Sequence, residues 1–247
     1  MNNMIKAIQK QLLHSRFSSG VELLGNPNES ARIGGAYNLY FLASENPEYV
    51  ETVCEILCAH IRSITGEKEY QAKHDTMSSN EIQTVINLLF KKEYNLIFDK
   101  CGKNLRRVFL YGIDFSGTTL KHVDFTSATL RQARFFVDAT LSDVSFWDAT
   151  LNDVLFGNAA LSHVLFDDAA LSHVFFNDAI LSHVFFNNAT LSDGFFNDAT
   201  LSYVSFNNAT FENLTYFGGT SLESKTPEEI TCEGCSLELT KSKEENE

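Results

Sequence analysis

From residue 105 onwards the large apolar residues fall every five positions. Leu105, Leu110, Phe115, Leu120, Phe125 and Leu130 form one run. A second run holds Phe136, Leu141, Phe146, Leu151, Phe156, Leu161 and Phe166, and continues through Leu171, Phe176, Leu181, Phe186, Leu191, Phe196, Leu201, Phe206, Phe211 and Tyr216. The step from Leu130 to Phe136 is six, which reads as one inserted residue. Two residues before each centre stands a second apolar side chain, as at Ala139, Val144, Ala149 and Val154. Period five is neither the 3.6 of a helix nor the 2 of a long strand. It fits a very short extended segment followed by a corner. Positions two apart then point to one side, and the corner takes residues that tolerate unusual backbone angles: Gly112, Gly117, Asp148, Asn158, Asp168 and Asp178. A five-residue unit buries nothing alone, whereas stacked coils bury a continuous interior, as in a solenoid.

The first hundred residues have a helical pattern instead. "MIKAIQKQLLHS" places apolar residues at helical spacing, and "NESARIGGAYNLYFLASENP" follows an Asn or Ser cap and stops at Pro47. "PEYVETVCEILCAHIRSI" is the clearest helix, with an apolar face of Val50, Val53, Cys54, Ile56, Leu57, Ile61 and Ile64. "SSNEIQTVINLLFKKEY" opens on Ser and acidic residues and closes on lysines, as the helix dipole favours. The intervening "GEKEYQAKHDTM" reads as a polar loop.

The stretch "ATLSDVSFWDATLNDVLFGNAALSH" resembles the pentapeptide-repeat family, whose units follow an Ala-(Asp/Asn)-Leu-x-x pattern, and the resemblance runs from about residue 105 to 217. It implies a mainly β fold, a right-handed quadrilateral parallel β-helix with four units per coil. "ARIGGAYNLYFLASENPEYVETVCEILCAHIR" is similar to an N-terminal helical segment of some members. The alternation of Leu and Phe with period ten agrees with four sides, because it sets Phe on Phe. The expected organisation is an α-helical cap over 1–100, the β-helix over 101–220, and a C-terminal cap with a charged tail over 221–247. That last cap is expected to begin near Thr226 and Pro227, with "KSKEENE" disordered.

Four sides put residues twenty apart in one column. Phe136, Phe156, Phe176 and Phe196 are expected in one inner column and Phe146, Phe166, Phe186 and Phe206 in the opposite one, each ring worth roughly 2 kcal/mol when buried. Gly194 takes the inward position of Val154 and Val174 and should leave a small void. His163 and His183 share a column with Asp143 and Tyr203, while His173 lies with Asp153 and Asp193. Two stacked imidazoles are too few for a zinc site, so these histidines read as outward corner residues, and no metal or cofactor is expected. A lone "CEGC" over 232–235 without a partner pair reads as inward residues of further units or a short cap. Cys54 and Cys58 read as small apolar residues.

The position just before each Phe centre should point outward, yet it is often apolar. Phe135, Leu155, Phe175 and Phe195 would form one outward stripe, Phe135 provided that the six-residue step leaves it on that wall. Leu165 and Phe185 would lie on the opposite wall. Such stripes mark contact surfaces, here for a protein partner or for a second copy in a homodimer.

Charge adds a second feature. The chain of 247 residues carries a formal net charge of -13, and residues 136–220 hold ten Asp or Glu with no Lys or Arg. That is one negative charge per ~2 Å of rod, near the one per ~1.7 Å of duplex DNA. Direct nucleic-acid binding is therefore not expected. No apolar run is long enough to span a bilayer, and the N-terminus lacks a secretory signal, so a cytoplasmic protein is expected, and the resemblance implies a bacterial one. Neither a Gly-rich phosphate loop nor a nucleophile elbow is present, and no enzymatic activity is expected. The function expected is a protein–protein interaction scaffold. The resemblance implies an alternative, since some family members are DNA mimics that bind type II topoisomerases and protect them from quinolones. A partner such as DNA gyrase or topoisomerase IV would then meet acidic residues including Asp167, Asp168, Asp178 and Asp198.

Overall fold

The computed structural model describes residues 2–94, 97–136, 138–213, 215, 217–222 and 230–232. It consists of a helical segment followed by a four-sided parallel β-solenoid of about five turns.

The helices are α1 (Asn2–Leu24), α2 (Glu29–Glu45), α3 (Val50–Gly66), α4 (Lys68–Lys73) and α5 (Asn80–Phe90). Asn28 caps α2, its side-chain oxygen accepting from Ser30 N and Ala31 N, and Ser79 caps α5 by accepting from Ile82 N. Two expectations are corrected. The "GEKEYQAKHDTM" segment is not all loop, because α4 forms within it. The first helix also runs well past its expected end to Leu24, and its early apolar residues are not buried. Only its second half packs, crossing α2 so closely that a Cβ on Gly35 would stand 2.9 Å from the Gly20 carbonyl oxygen.

In the solenoid each coil has four walls. The first carries Phe125, Phe146, Phe166, Phe186 and Phe206, and the third Phe115, Phe135, Phe156, Phe176, Phe196 and Phe217. Rings within each column stack at 4.6–5.1 Å between centroids. Across the interior the two columns meet edge to face at 5.7–6.2 Å, a geometry that aromatic quadrupoles favour. The second and fourth walls carry the Leu columns, paired in register, such as Leu151 with Leu171 and Leu161 with Leu181. The backbone ladder joins successive coils. Six-residue strands, such as Ala160–Leu165 and Ile180–Phe185, bend through the corner between the fourth and first walls, and three-residue strands, such as Ala170–Ser172, line the second.

Every corner is a left-handed residue. From Arg107 to Asn213 the non-glycine corners have φ of 52–59°, and Gly112, Gly117 and Gly219 take the same role. Among the non-glycine corners Asp and Asn dominate, because after glycine they reach this region at least cost.

One inner column is not as expected. The third-wall ring is Phe135, fully buried between Phe115 and Phe156. Phe136 is 39% exposed. The extra residue therefore enters after Phe135, and Leu141 pairs with Leu120 twenty-one positions back. Ala133, buried two before Phe135, completes that unit's inward pair and was the sequence signal for this register. A second slip follows Phe211. The last ring stacked on Phe196 is Phe217, and Tyr216 lies outside the described residues.

The first coil would expose a sheet edge, and the helices cover it. Ser78 and Tyr111 exchange hydrogen bonds, Gln83 pairs with both backbone groups of Asp114, Phe109 N donates to Thr65 Oγ1, and Arg62 donates to the Asn104 carbonyl. Phe90 meets Phe115 edge-on at 6.2 Å, closing the aromatic stack. Lys103 takes the inward position of Val123 with 2% exposure, and its Nζ donates to the carbonyls of Cys101 and Lys121. At the other end Ile230 pairs with Val204, which places Ile230 and Cys232 in the expected further unit. Cys232 is disulfide-bonded, which the sequence reading did not anticipate. The expected cap at Thr226 and Pro227, Cys235 and the charged tail lie outside the described residues.

Gly194 is buried, and a Cβ there would meet Thr215 Cγ2 at 3.5 Å and Phe196 at 3.6 Å, ordinary contact distances. The position has room for a methyl group and no positive φ to forbid one. Gly194→Ala is expected to raise stability by about 0.5–1 kcal/mol, read from denaturant unfolding; a loss of stability would show that the site requires glycine.

Candidate interaction surface

With the rings inside, the positions on either side of each centre face out. On the third wall the residues before the centres are Arg134, Leu155, Phe175 and Phe195, joined coil to coil by parallel bridges. Arg134, not Phe135, is the base of this stripe. Phe175 and Phe195 stack at 4.8 Å with an interplanar angle of 3°. Phe175 and Phe195 cover part of each other, and Leu155, Phe175 and Phe195 are half-buried rather than fully open. Phe136, displaced outward by the inserted residue, joins them. Its ring lies over Gly157, where a Cβ would come within 3.0 Å of it. The wall thus presents Phe136, Leu155, Phe175 and Phe195 together, and the sequence reading missed the first. Beside Leu155 and Arg134, exposed Met77 of the helical segment lines a shallow hollow continuous with the stripe.

Two corners flank this wall. One carries Asp153, His173, Asp193 and Asn213, and the other Asp138, Asn158, Asp178 and Asp198. Leu165 and Phe185 lie on the first wall, in register with Ser145 and Ser205. The four candidate acidic residues do not form one patch. Asp178 and Asp198 edge the third wall, whereas Asp167 and Asp168 sit on the first wall and its following corner, diagonally across the rod. There Trp147 Nε1 donates to Asp168 at 2.6 Å. Burial pushes the Asp167 carboxyl up despite the hydrogen bond that it accepts from Asn187 N.

The histidines stand at left-handed corners. His163 stacks on His183 at 4.8 Å and His183 on Tyr203 at 4.6 Å, and each imidazole Nδ1 is within hydrogen-bond distance of the preceding serine hydroxyl. His173 belongs to the other column, 3.8 Å from Asp193. Among the described residues no group of three or more His, Cys, Asp or Glu is placed to hold a metal ion. Cys54 and Cys58 are buried on α3. A hydrogen bond with Cys58 and then burial hold the Cys54 thiol high, and burial pushes Cys101 up to about 11, so Cys54 and Cys101 stay protonated.

One polar cluster escaped the sequence reading. Glu81, at the start of α5, is buried and accepts two hydrogen bonds from Arg32, at 2.7 and 2.6 Å, and one from His60. Arg32 also donates to the carbonyls of Asn26 and Pro27. The cluster ties the α1–α2 turn to α3 and α5, and a polar hollow opens beside it. Its members are 49 and 21 residues apart in sequence, so no local motif announces it.

Residues 104–135 match the family described as pentapeptide repeats (8 copies). Among solved structures, a pentapeptide repeat protein from the thylakoid lumen of Arabidopsis thaliana is 33% identical over 37% of this chain and 63% of its own, with a TM-score of 0.35. A pentapeptide repeat protein of the cyanobacterium Cyanothece is 16% identical over 51% of this chain and 91% of its own, with a TM-score of 0.34. QnrB1, a plasmid-mediated fluoroquinolone resistance protein, is 18% identical over 50% of this chain and 66% of its own, with a TM-score of 0.28. No curated protein sequence matches the chain significantly. No described helix is long and apolar enough to cross a membrane.

Burial raises the Glu81 carboxyl, but the hydrogen bonds from His60 and Arg32 outweigh it and leave the group below its ordinary range. A depressed carboxylate stabilises the fold above its unfolded value, near 4.3, and that stabilisation is lost as pH falls through the lower folded value. Glu81→Ala leaves the half-buried Arg32 guanidinium without its partner and is expected to cost about 1–3 kcal/mol near neutral pH. The difference between variant and wild type should shrink in acid; a pH-independent difference in melting would contradict the assignment.

Proposed function

This chain is a pentapeptide-repeat protein, and we propose that it acts without catalysis, as a protein–protein interaction scaffold whose third wall is the contact face. One observation carries this reading: Phe136, Leu155, Phe175 and Phe195 lie together on the outside of a single wall, between two acidic corners. The buried rings Phe135, Phe156, Phe176 and Phe196 stack behind them. Solvent-facing positions that carry aromatic rings in consecutive coils form an apolar patch of the kind that marks a protein contact. Large rigid rings supply contact area at little entropic cost. The acidic edges select a partner with a basic or neutral rim.

A second reading follows from the corners. Between Arg134 and Lys225 the sequence holds no Lys or Arg, so the carboxylates along the rod have no cationic side chain among them. An acidic rod of near-DNA charge spacing attracts the basic DNA-binding cleft of a type II topoisomerase. Such a cleft would embrace the rod from both sides, since Asp167 and Asp168 lie diagonally across from Asp178 and Asp198.

Phe175→Ser with Phe195→Ser is expected to abolish partner binding in pull-downs and light scattering while the melting temperature stays nearly unchanged. Binding that survives the double substitution would remove the third wall from the proposal. For the second reading, supercoiling by a bacterial gyrase should be inhibited below micromolar protein and released when Asp167, Asp168, Asp178 and Asp198 are all changed to Asn. An absence of inhibition at high protein concentration would leave the scaffold reading alone.

A further inference from the structure

Among the described residues, none covers residues 3–12 of α1. Arg16 pairs with Glu45, the last residue of α2, so the residues before Arg16 extend beyond the end of that helix. Residues 3–12 are exposed throughout. Met4, Ile5, Ile8 and Leu12, 48–71% exposed, share one face at helical spacing, with Lys6 and Lys10 on the opposite side. From Asn2 to Val21 the only charged residues other than His14 are Lys6, Lys10 and Arg16. About twelve residues of isolated helix are marginal in water, and an apolar face this open needs a cover.

We propose that this half of α1 docks lengthwise on the third wall of a second copy of the chain. The inference rests on the reading of that wall as a protein-binding face, and names its occupant. Two features match. Met4 to Leu12 spans about 12 Å at 1.5 Å per residue, and Leu155 to Phe195 spans two coil steps, about 10 Å at the strand spacing. An apolar helix face therefore meets an apolar wall of its own length. The charges also agree, because the wall is bordered by Asp153, Asp193, Asp138, Asp178 and Asp198, and the helix brings no acidic side chain to them. An anionic bilayer would take the same helix face but repel the remainder of a chain with net charge -13.

Sedimentation of the full chain tests the contact. The wild type is expected to self-associate. Ile8→Glu with Leu12→Glu, and separately Phe175→Ser with Phe195→Ser, should each weaken association at least about tenfold. An equimolar mixture of the two variants should regain part of it, because the intact helix of one meets the intact wall of the other. A mixture that stays monomeric, or a helix variant that associates like wild type, overturns the pairing and leaves the wall reading standing. A wall variant that associates like wild type overturns both. A wild type that stays monomeric at millimolar concentration overturns the pairing, as does binding to phosphatidylserine vesicles that is lost in the helix variant. Should the wall variant lose its cooperative melt, Phe136→Ser replaces it, since that ring is the most exposed of the wall.

Discussion

The strand spacing of a parallel ladder and the stacking distance of aromatic rings are nearly the same length, and the solenoid depends on that coincidence. Coils rise by about 4.8 Å when their backbones pair, and the buried phenylalanines stack at 4.6–5.1 Å. Neither requirement strains the other. Two columns on opposite walls then meet edge to face and fill the interior. The inward residue two before each centre is mostly Ala or Val, with Ile113, Thr118 and Lys103 as larger or polar exceptions near the start of the rod. The left-handed corner is the cost of turning every five residues, and after glycine Asp and Asn bear it most cheaply.

A stack of this kind has no natural end. The outermost coil exposes backbone groups and one face of its last ring, and something else must satisfy them. At the start of the rod the helical segment does so with polar side chains: Arg62 and Thr65 near the end of α3, Ser78 before α5, and Gln83 within α5. Phe90 covers the terminal ring. Lys103 shows how abruptly the interior stops. In the next coil its position is Val123, but here burial, which lowers the lysine pKa, is met by two carbonyl acceptors at the junction. The Glu81 cluster in turn holds the helices that make this junction.

Because the interior is filled by a fixed inward pair in each unit, outward positions are free to vary without harm to the fold. The third wall uses that freedom for aromatic rings, the corners for carboxylates, and the column of His163, His183 and Tyr203 for a second, solvent-side stack. The inserted residue after Phe135 has a local consequence. It expels Phe136 onto the same wall as Leu155, where the absence of a side chain at Gly157 gives its ring a seat. A break in the repeat therefore enlarged the apolar face rather than disturbing the core.

The sequence by itself determined the repeat and the outward direction of Leu155, Phe175 and Phe195, because a period of five carries both. The four walls are implied by the family resemblance, and the alternation of Leu and Phe with period ten agrees with them by setting Phe on Phe. The sequence also held the correct register at Phe135, through Ala133 two residues earlier, although adjacent phenylalanines satisfy the spacing equally well read alone. Only the tertiary structure decided between those two rings, because the choice is made by the buried neighbours Phe115 and Phe156. The same holds for the Arg32–His60–Glu81 cluster, for the polar groups that end the first coil, and for the open face of α1. Helical spacing shows that Met4, Ile8 and Leu12 share a face, but whether anything covers it depends on where α2 stops along its neighbour. Local pattern fixes what repeats; contacts between distant segments fix how the repeat begins and what its surface meets.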